Sequence, residues 1–259
     1  MISLVGIVLT SPGVNKSTFV GSSQNLCHSS MFAVVKNNGA IARYLADPNI
    51  ASIRPNHPHG YVYSGGQRGG LLSLLETTYY PHWKYKKPNY KRKGVKRTRK
   101  TSSKEQGLEI MSQLMGYVND RAAVPTDDMA YAVAAFMEEK MDHSLVAVEL
   151  PVLVGLLGTE RITQADLITS DAKDRLWMWE IKSGYKREKK QGDMLRLQKV
   201  ANKRYEQWEL QRYYTHLGLE QHGLKIHKSV VLHVYKEGKN IAIKKRPVPK
   251  WCNEQLKTE

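Results

Sequence analysis

Gln164-Ala165-Asp166-Leu167-Ile168, the polar stretch Ser170-Asp171-Ala172-Lys173-Asp174, and then Trp177-Met178-Trp179-Glu180-Ile181-Lys182-Ser183-Gly184 decide how this chain is read. Two apolar runs of strand-forming residues flank a turn, which predicts a hairpin. Alternate residues of a strand share a face, so Glu180 and Lys182 point the same way as Leu176 and Met178, while Trp177, Trp179 and Ile181 point the other way. An acid and a lysine therefore end a strand that is otherwise apolar. Burying ionised groups is costly without compensation, so the pair implies either a mutual salt bridge or a site that neutralises it, such as a bound cation. Asp166, fourteen residues before Glu180, reaches the same point across the hairpin.

Outward from this hairpin the order of elements sharpens. Leu108, Met111, Leu114, Met115 and Val118 recur at helical spacing behind a Ser102-x-x-Glu105 or Ser103-x-x-Gln106 capping box, predicting a helix from about residue 103. Pro125 and Asp127 open a second helix with the stripe Ala130, Val133, Ala134, Met137 and Met141. Four strands are expected over Leu145–Glu149, Val152–Leu157, Ile162–Ile168 and Leu176–Lys182, with Pro151 and Gly158 as breaks. The charged stretch 187–217 carries a helical seam at Leu197, Ala201, Tyr205 and Trp208, and strands over 227–235 and 240–245 follow. Residues 1–80 show no sustained period and read as short strands and loops.

An Asp followed after ten to twenty residues by Glu-x-Lys on an adjacent strand resembles the PD-(D/E)XK nuclease superfamily. Helices before the motif and a Lys-rich helix after it are similar to its RecB-like, lambda-exonuclease-like branch. The resemblance covers residues 103–245. It implies an α/β fold for 105–259, a restriction-endonuclease-like core with a central mixed sheet flanked by helices. Residues 1–80 are then an N-terminal extension whose fold the resemblance leaves open, and 81–104 a basic arm or loop. It further implies that Asp166, Glu180 and the Ile181 carbonyl bind magnesium, with manganese as a substitute, and that Lys182 holds or activates the attacking water. Members of this branch carry one more acid, for which Glu149 is the choice here and Glu138 and Glu139 are the competitors. Ala165 stands where the family motif has Pro, a common departure. The Gln-x-x-x-Tyr signature of the branch is not intact: Gln211 and Tyr213 lie in the right helix without that spacing.

The chain has 259 residues, 41% hydrophobic and 25% charged, ordinary for a folded globular protein and against wholesale disorder. Lys and Arg total 40 against 24 Asp and Glu, a net charge of +16, which points to a polyanionic partner. Eleven of those cations lie between Lys84 and Lys104 with no acid among them. Tyr79, Tyr80, Trp83, Tyr85 and Tyr90 border or interleave with them, so the run reads as a DNA-contacting arm through Lys91, Arg92, Lys93, Lys96 and Arg97. A solvated loop or a nuclear-import signal is the plainer alternative. Ser102, Ser103 and Lys104 open the next helix, whose first N–H groups suit a phosphate.

Cys27 and Cys252 have no metal-ligand spacing, and no apolar run reaches spanning length, so the expectation is an intracellular protein in a DNA-containing compartment with no membrane partner. Gly13-Val14-Asn15-Lys16-Ser17 fails the phosphate-loop spacing, and His57-Pro58-His59 lacks a third ligand. The leading expectation is a magnesium-dependent deoxyribonuclease, an exonuclease as in most of the branch it resembles. A non-catalytic nucleic-acid-binding protein on a nuclease-like fold is the alternative, and an RNA-binding or capsid-associated protein rests on charge alone.

Overall fold

The computed structural model describes residues 33–34, 38–56, 60–63, 66–68, 70–72, 74–75, 103–156, 158–185, 194–238 and 240–246. In chain order these form β1 (Ala33–Val34), α1 (Gly39–Leu45), α2 (Pro48–Ala51), β2 (Arg54–Asn56), β3 (Gly60–Tyr63), β4 (Gly66–Arg68) and α3 (Ser103–Asn119). Next come α4 (Asp128–Ala135), extended by a π-turn over Phe136–Lys140, β5 (His143–Leu156), β6 (Thr159–Asp171) and β7 (Leu176–Tyr185). Then follow α5 (Met194–Gln221), β8 (Lys228–Glu237) and β9 (Asn240–Lys245). The main sheet has six strands in the order β1-β5-β6-β7-β8-β9, and β2-β3-β4 form a small antiparallel sheet. Among the described strands of the main sheet only β7 and β8 run parallel, with α5 as the crossover that a parallel pair requires. The fold is therefore mixed α/β, with a mixed sheet flanked by helices.

The alternation of β7 sets the layers. Trp179 and Ile181 join Val148, Leu167 and Leu232 in one cluster, covered by Ile110 and Leu114 of α3 and by Val133 and Met137. Met178 and Leu176 join Ala147, Leu150 and Ile168 in a second, covered by Ile41, Ile50 and Leu219. Val154 and Leu156 form a third with Leu71, Leu75, Leu210 and Tyr214. Asp127 caps α4 by accepting from the N–H groups of Met129 and Ala130. α3 and α4, the hairpin and β8–β9 stand where the sequence pattern puts them.

Two expectations are corrected. The expected strands 145–149 and 152–157 are, as far as residue 156, one strand, β5, and Pro151 stays in it opposite Gln164. Among the described residues β1 covers β5 at Ala147 and Val148 and not at Pro151, which lies on an edge where a missing N–H costs nothing. Its carbonyl, on that edge, accepts from the Tyr44 hydroxyl at 2.7 Å. Within residues 1–80, the described part contains the helices α1 and α2 as well as strands. Asn38 accepts from Ile41 N, and Asp47 accepts from Asn49 N with Pro48 at the first helical position. Both helices pack on β5 through Ile41 and Ile50 and so share the core of the sheet.

Candidate active site

Three adjacent strands carry a carboxylate at one level of the sheet. The pairs Val148↔Leu167 and Leu150↔Ala165 bracket Glu149 opposite Asp166. The β6–β7 ladder ends at Leu167↔Trp179, so Asp166 and Glu180 stand one step beyond its last rung. There the strands part, and Asp166 Oδ2 takes the Ile181 N–H at 2.7 Å in place of a backbone carbonyl. The N–H and C=O of one strand residue point to the same side, so the Ile181 carbonyl faces this gap too. Neighbouring strands lie roughly 4.8 Å apart, which brings the three acids into one another's field.

Glu149 reaches the row through an unusual backbone. Its φ is 57°, in the left-handed region, which costs a non-glycine residue about 1–2 kcal/mol. That twist breaks the alternation, since Ala147 and Leu150 both face the second cluster. Strain of this kind persists where a site uses it.

Lys182 is the cation of the row. Its Nζ donates to Glu180 Oε1 at 2.5 Å and to Gln211 Oε1, on α5, at 3.2 Å. The Glu180 side chain is fully buried and its Oε2 has no hydrogen-bond partner. Burial, and then the charge of Glu180, push the Glu149 pKa up to about 7. The same two causes, in the same order, hold Asp166 well above the usual carboxylate range. Burial works to lower the pKa of Lys182, but Glu180, Asp166 and Glu149 together outweigh it and raise the value. One ammonium thus faces three crowded carboxylates, too little positive charge for all of them to ionise.

That deficit, the orphaned Glu180 Oε2 and an all-oxygen donor set fit a hard divalent cation held by Asp166, Glu180, Glu149 and the Ile181 carbonyl. As they stand, no three acidic, His or Cys side chains among the described residues close on a single point; Lys182 sits on one Glu180 oxygen and the Ile181 N–H on one Asp166 oxygen.

No protein-family model matches the chain, and no curated protein matches it. The functional reading therefore stands on this geometry and on the motif in the sequence.

Glu149, Asp166, Glu180, Ile181, Lys182 and Gln211 are brought together. Tyr213 is not: it packs on the third cluster, its ring 5.0 Å from that of Tyr214. Glu138 accepts from the Tyr117 hydroxyl and Arg121, and Glu139 is exposed, so neither competitor joins the row. Lys91, Arg92, Lys93, Lys96, Arg97 and Ser102 lie outside the described residues, as do His57 and His59. Ser103 and Lys104 begin α3. A Cβ on Gly107 would come 3.3 Å from Ser183 Oγ, so the second turn of α3 lies against the end of β7, on the face that Trp179 and Ile181 share and opposite to Lys182.

One feature of the site escapes sequence reasoning. Glu209 and Arg212 on α5 form a buried pair, Nε to Oε2 at 2.7 Å, and Arg212 also bonds the Ser229 hydroxyl. Charges at i and i+3 on a helix read as a solvated surface pair; burial beneath the sheet is a tertiary fact. Burial raises the Glu209 pKa; Arg212 opposes this and Glu180 adds to it. The pair fixes α5 beside the row, immediately flanking Gln211. Among the described residues no helix is long and apolar enough to cross a membrane.

Proposed function

We propose that the chain is a metal-dependent DNA nuclease of the PD-(D/E)XK kind, hydrolysing phosphodiester bonds from DNA ends. The observation that carries this reading is the placement of Glu149, Asp166 and Glu180 at one level of three neighbouring strands, with Lys182 bonded to Glu180, at the point where β6 and β7 part. A bound magnesium, or manganese in its place, would polarise the scissile phosphate and acidify the attacking water.

The remaining work falls to the chain itself. Asp166, Glu180 and Glu149 supply the negative oxygens of the site, and the Ile181 N–H holds one Asp166 oxygen in place between the two strands. Lys182, whose neighbours keep it protonated, donates a hydrogen bond to the water and offsets charge developing on the phosphate. Gln211 gives that ammonium a second acceptor and so directs it. The basic run 84–104 leads directly into α3, whose first N–H groups suit a phosphate of the substrate backbone.

Incubation with end-labelled linear DNA and with closed circular DNA, each in magnesium and in EDTA, tests this. Expected is release of label from the linear substrate in magnesium alone, with the circle intact. A cleaved circle makes the activity endonucleolytic. Tight binding with no cleavage of either substrate makes the protein a binding module.

A further inference from the structure

Lys182 lies within reach of two acceptors of opposite character. Glu180 Oε1, at 2.5 Å, is charged and buried; Gln211 Oε1, at 3.2 Å, is neutral. An ammonium this close to Oε1 takes the lone pairs that a cation would need, so the two cannot share that oxygen as arranged. With all three carboxylates ionised, the row and Lys182 together carry a charge of minus two, which one divalent ion balances. An ammonium displaced from Glu180 without an acceptor would be left partly desolvated, its side chain being only 20% exposed. Gln211 removes that penalty, and it does not move: Leu210 is buried in the third cluster on one side of it, and Arg212 is pinned to Glu209 and Ser229 on the other.

We propose that Lys182 is the resident counter-ion of the carboxylate row and Gln211 its second seat, so that loading of a divalent cation breaks the Lys182–Glu180 contact and leaves Lys182 Nζ on Gln211 alone. The flexible four-carbon stem of lysine makes the release a rotation about its terminal bonds with no backbone change. In the metal-free protein Lys182 holds the acids together; in the loaded protein it stands beside the ion, where a water or phosphate oxygen arrives. Gln211 acts as a positioning residue for this step. The inference rests on the reading of the row as a cation site.

Titration of the full chain with manganese chloride by calorimetry, without DNA, tests it. Lys182→Met and Lys182→Gln remove the competing charge and are expected to bind manganese about tenfold more tightly than the wild type. Gln211→Ala removes the second seat and is expected to bind several-fold more weakly. Thermal unfolding of the same proteins gives a second readout: both Lys182 variants melt below the wild type in EDTA and show a larger manganese-induced rise. Unchanged or weaker manganese binding in both Lys182 variants overturns the proposal. Absence of manganese binding by the wild type is a different failure, that of the cation site itself.

Discussion

Gly218→Ala should unseat the helix that carries Gln211. A Cβ at position 218 would lie 2.7 Å from the Leu153 carbonyl oxygen, 2.7 Å from Val152 Cγ1 and 2.9 Å from Val154 Cβ. Optimal contacts between carbon atoms are about 3.5–4.0 Å, so α5 must lift from β5 by roughly 1 Å. The strand cannot give way: Leu153 is paired with Ile162 in the ladder, and the flanking valines are fully buried. Overpacking costs about 1–3 kcal/mol, here at the upper end because one clash is with backbone, and the better helix propensity of Ala returns about 1 kcal/mol. The net loss is about 2 kcal/mol, or roughly 4–8 °C in Tm for a domain of this size. Seven residues separate Gly218 from Gln211, about 10 Å along the helix, so the lift also loosens the Gln211–Lys182 contact and slows cleavage. Urea denaturation and a cleavage assay on the purified variant measure both effects. Gly116→Ala in α3, where an added Cβ meets nothing within 4 Å, is the control and should stabilise by about 0.5–1 kcal/mol. A Gly218→Ala protein as stable as the wild type would refute the close seating of α5 on β5.

Asp166→Ala, Glu180→Ala and Lys182→Ala should each lower the cleavage rate by about a hundredfold or more while DNA binding, measured by anisotropy in EDTA, stays near wild type; a fully active variant removes its residue from the site. Neutralising Lys91, Arg92, Lys93, Lys96 and Arg97 should weaken binding to all sequences alike and flatten its salt dependence by about 0.7–0.9 per lost contact; an unchanged slope makes the run a targeting signal or an idle loop. Burial, then Arg246 and Lys244, lower the His233 pKa from 6.5 to about 4. A His with a depressed folded pKa binds more protons unfolded, so its contribution is complete above about pH 6.5 and is lost as pH falls towards 4, amounting to about 2 kcal/mol by about pH 5. Urea unfolding of His233→Asn should show a shallower acid loss than the wild type, and parallel curves would show that His233 is not the group responsible.

The hairpin was readable because two signals agreed: apolar alternation in β7, and a turn between it and β6. Together they place Asp166, Glu180 and Lys182 at one point of the hairpin from residue type and spacing alone. α4 was readable for a similar reason, as the Asp127 cap and the Ala130-to-Met137 stripe point to one helix. β5 was not, because Pro151 reads as a break unless the strand is known to lie on an edge. α1 and α2 are too short for a period to emerge, although Asp47-Pro48 is a legible start signal in hindsight. Glu149 was legible as an acid ending an apolar run, but the left-handed backbone that turns it into the row leaves no trace in residue type. Gln211 was singled out by the helix it lies in; that it meets Lys182 is settled by the packing of α5 alone.

The most direct test of the carboxylate row as a metal centre is the anomalous scattering of crystals soaked in manganese. One peak is expected, bounded by oxygens of Asp166 and Glu180, with a Glu149 oxygen in direct or one-water reach and Lys182 Nζ released from Glu180 and held by Gln211 alone. A map with no peak there and Lys182 still on Glu180, or with Glu149 paired to a lysine or arginine away from the ion, contradicts it.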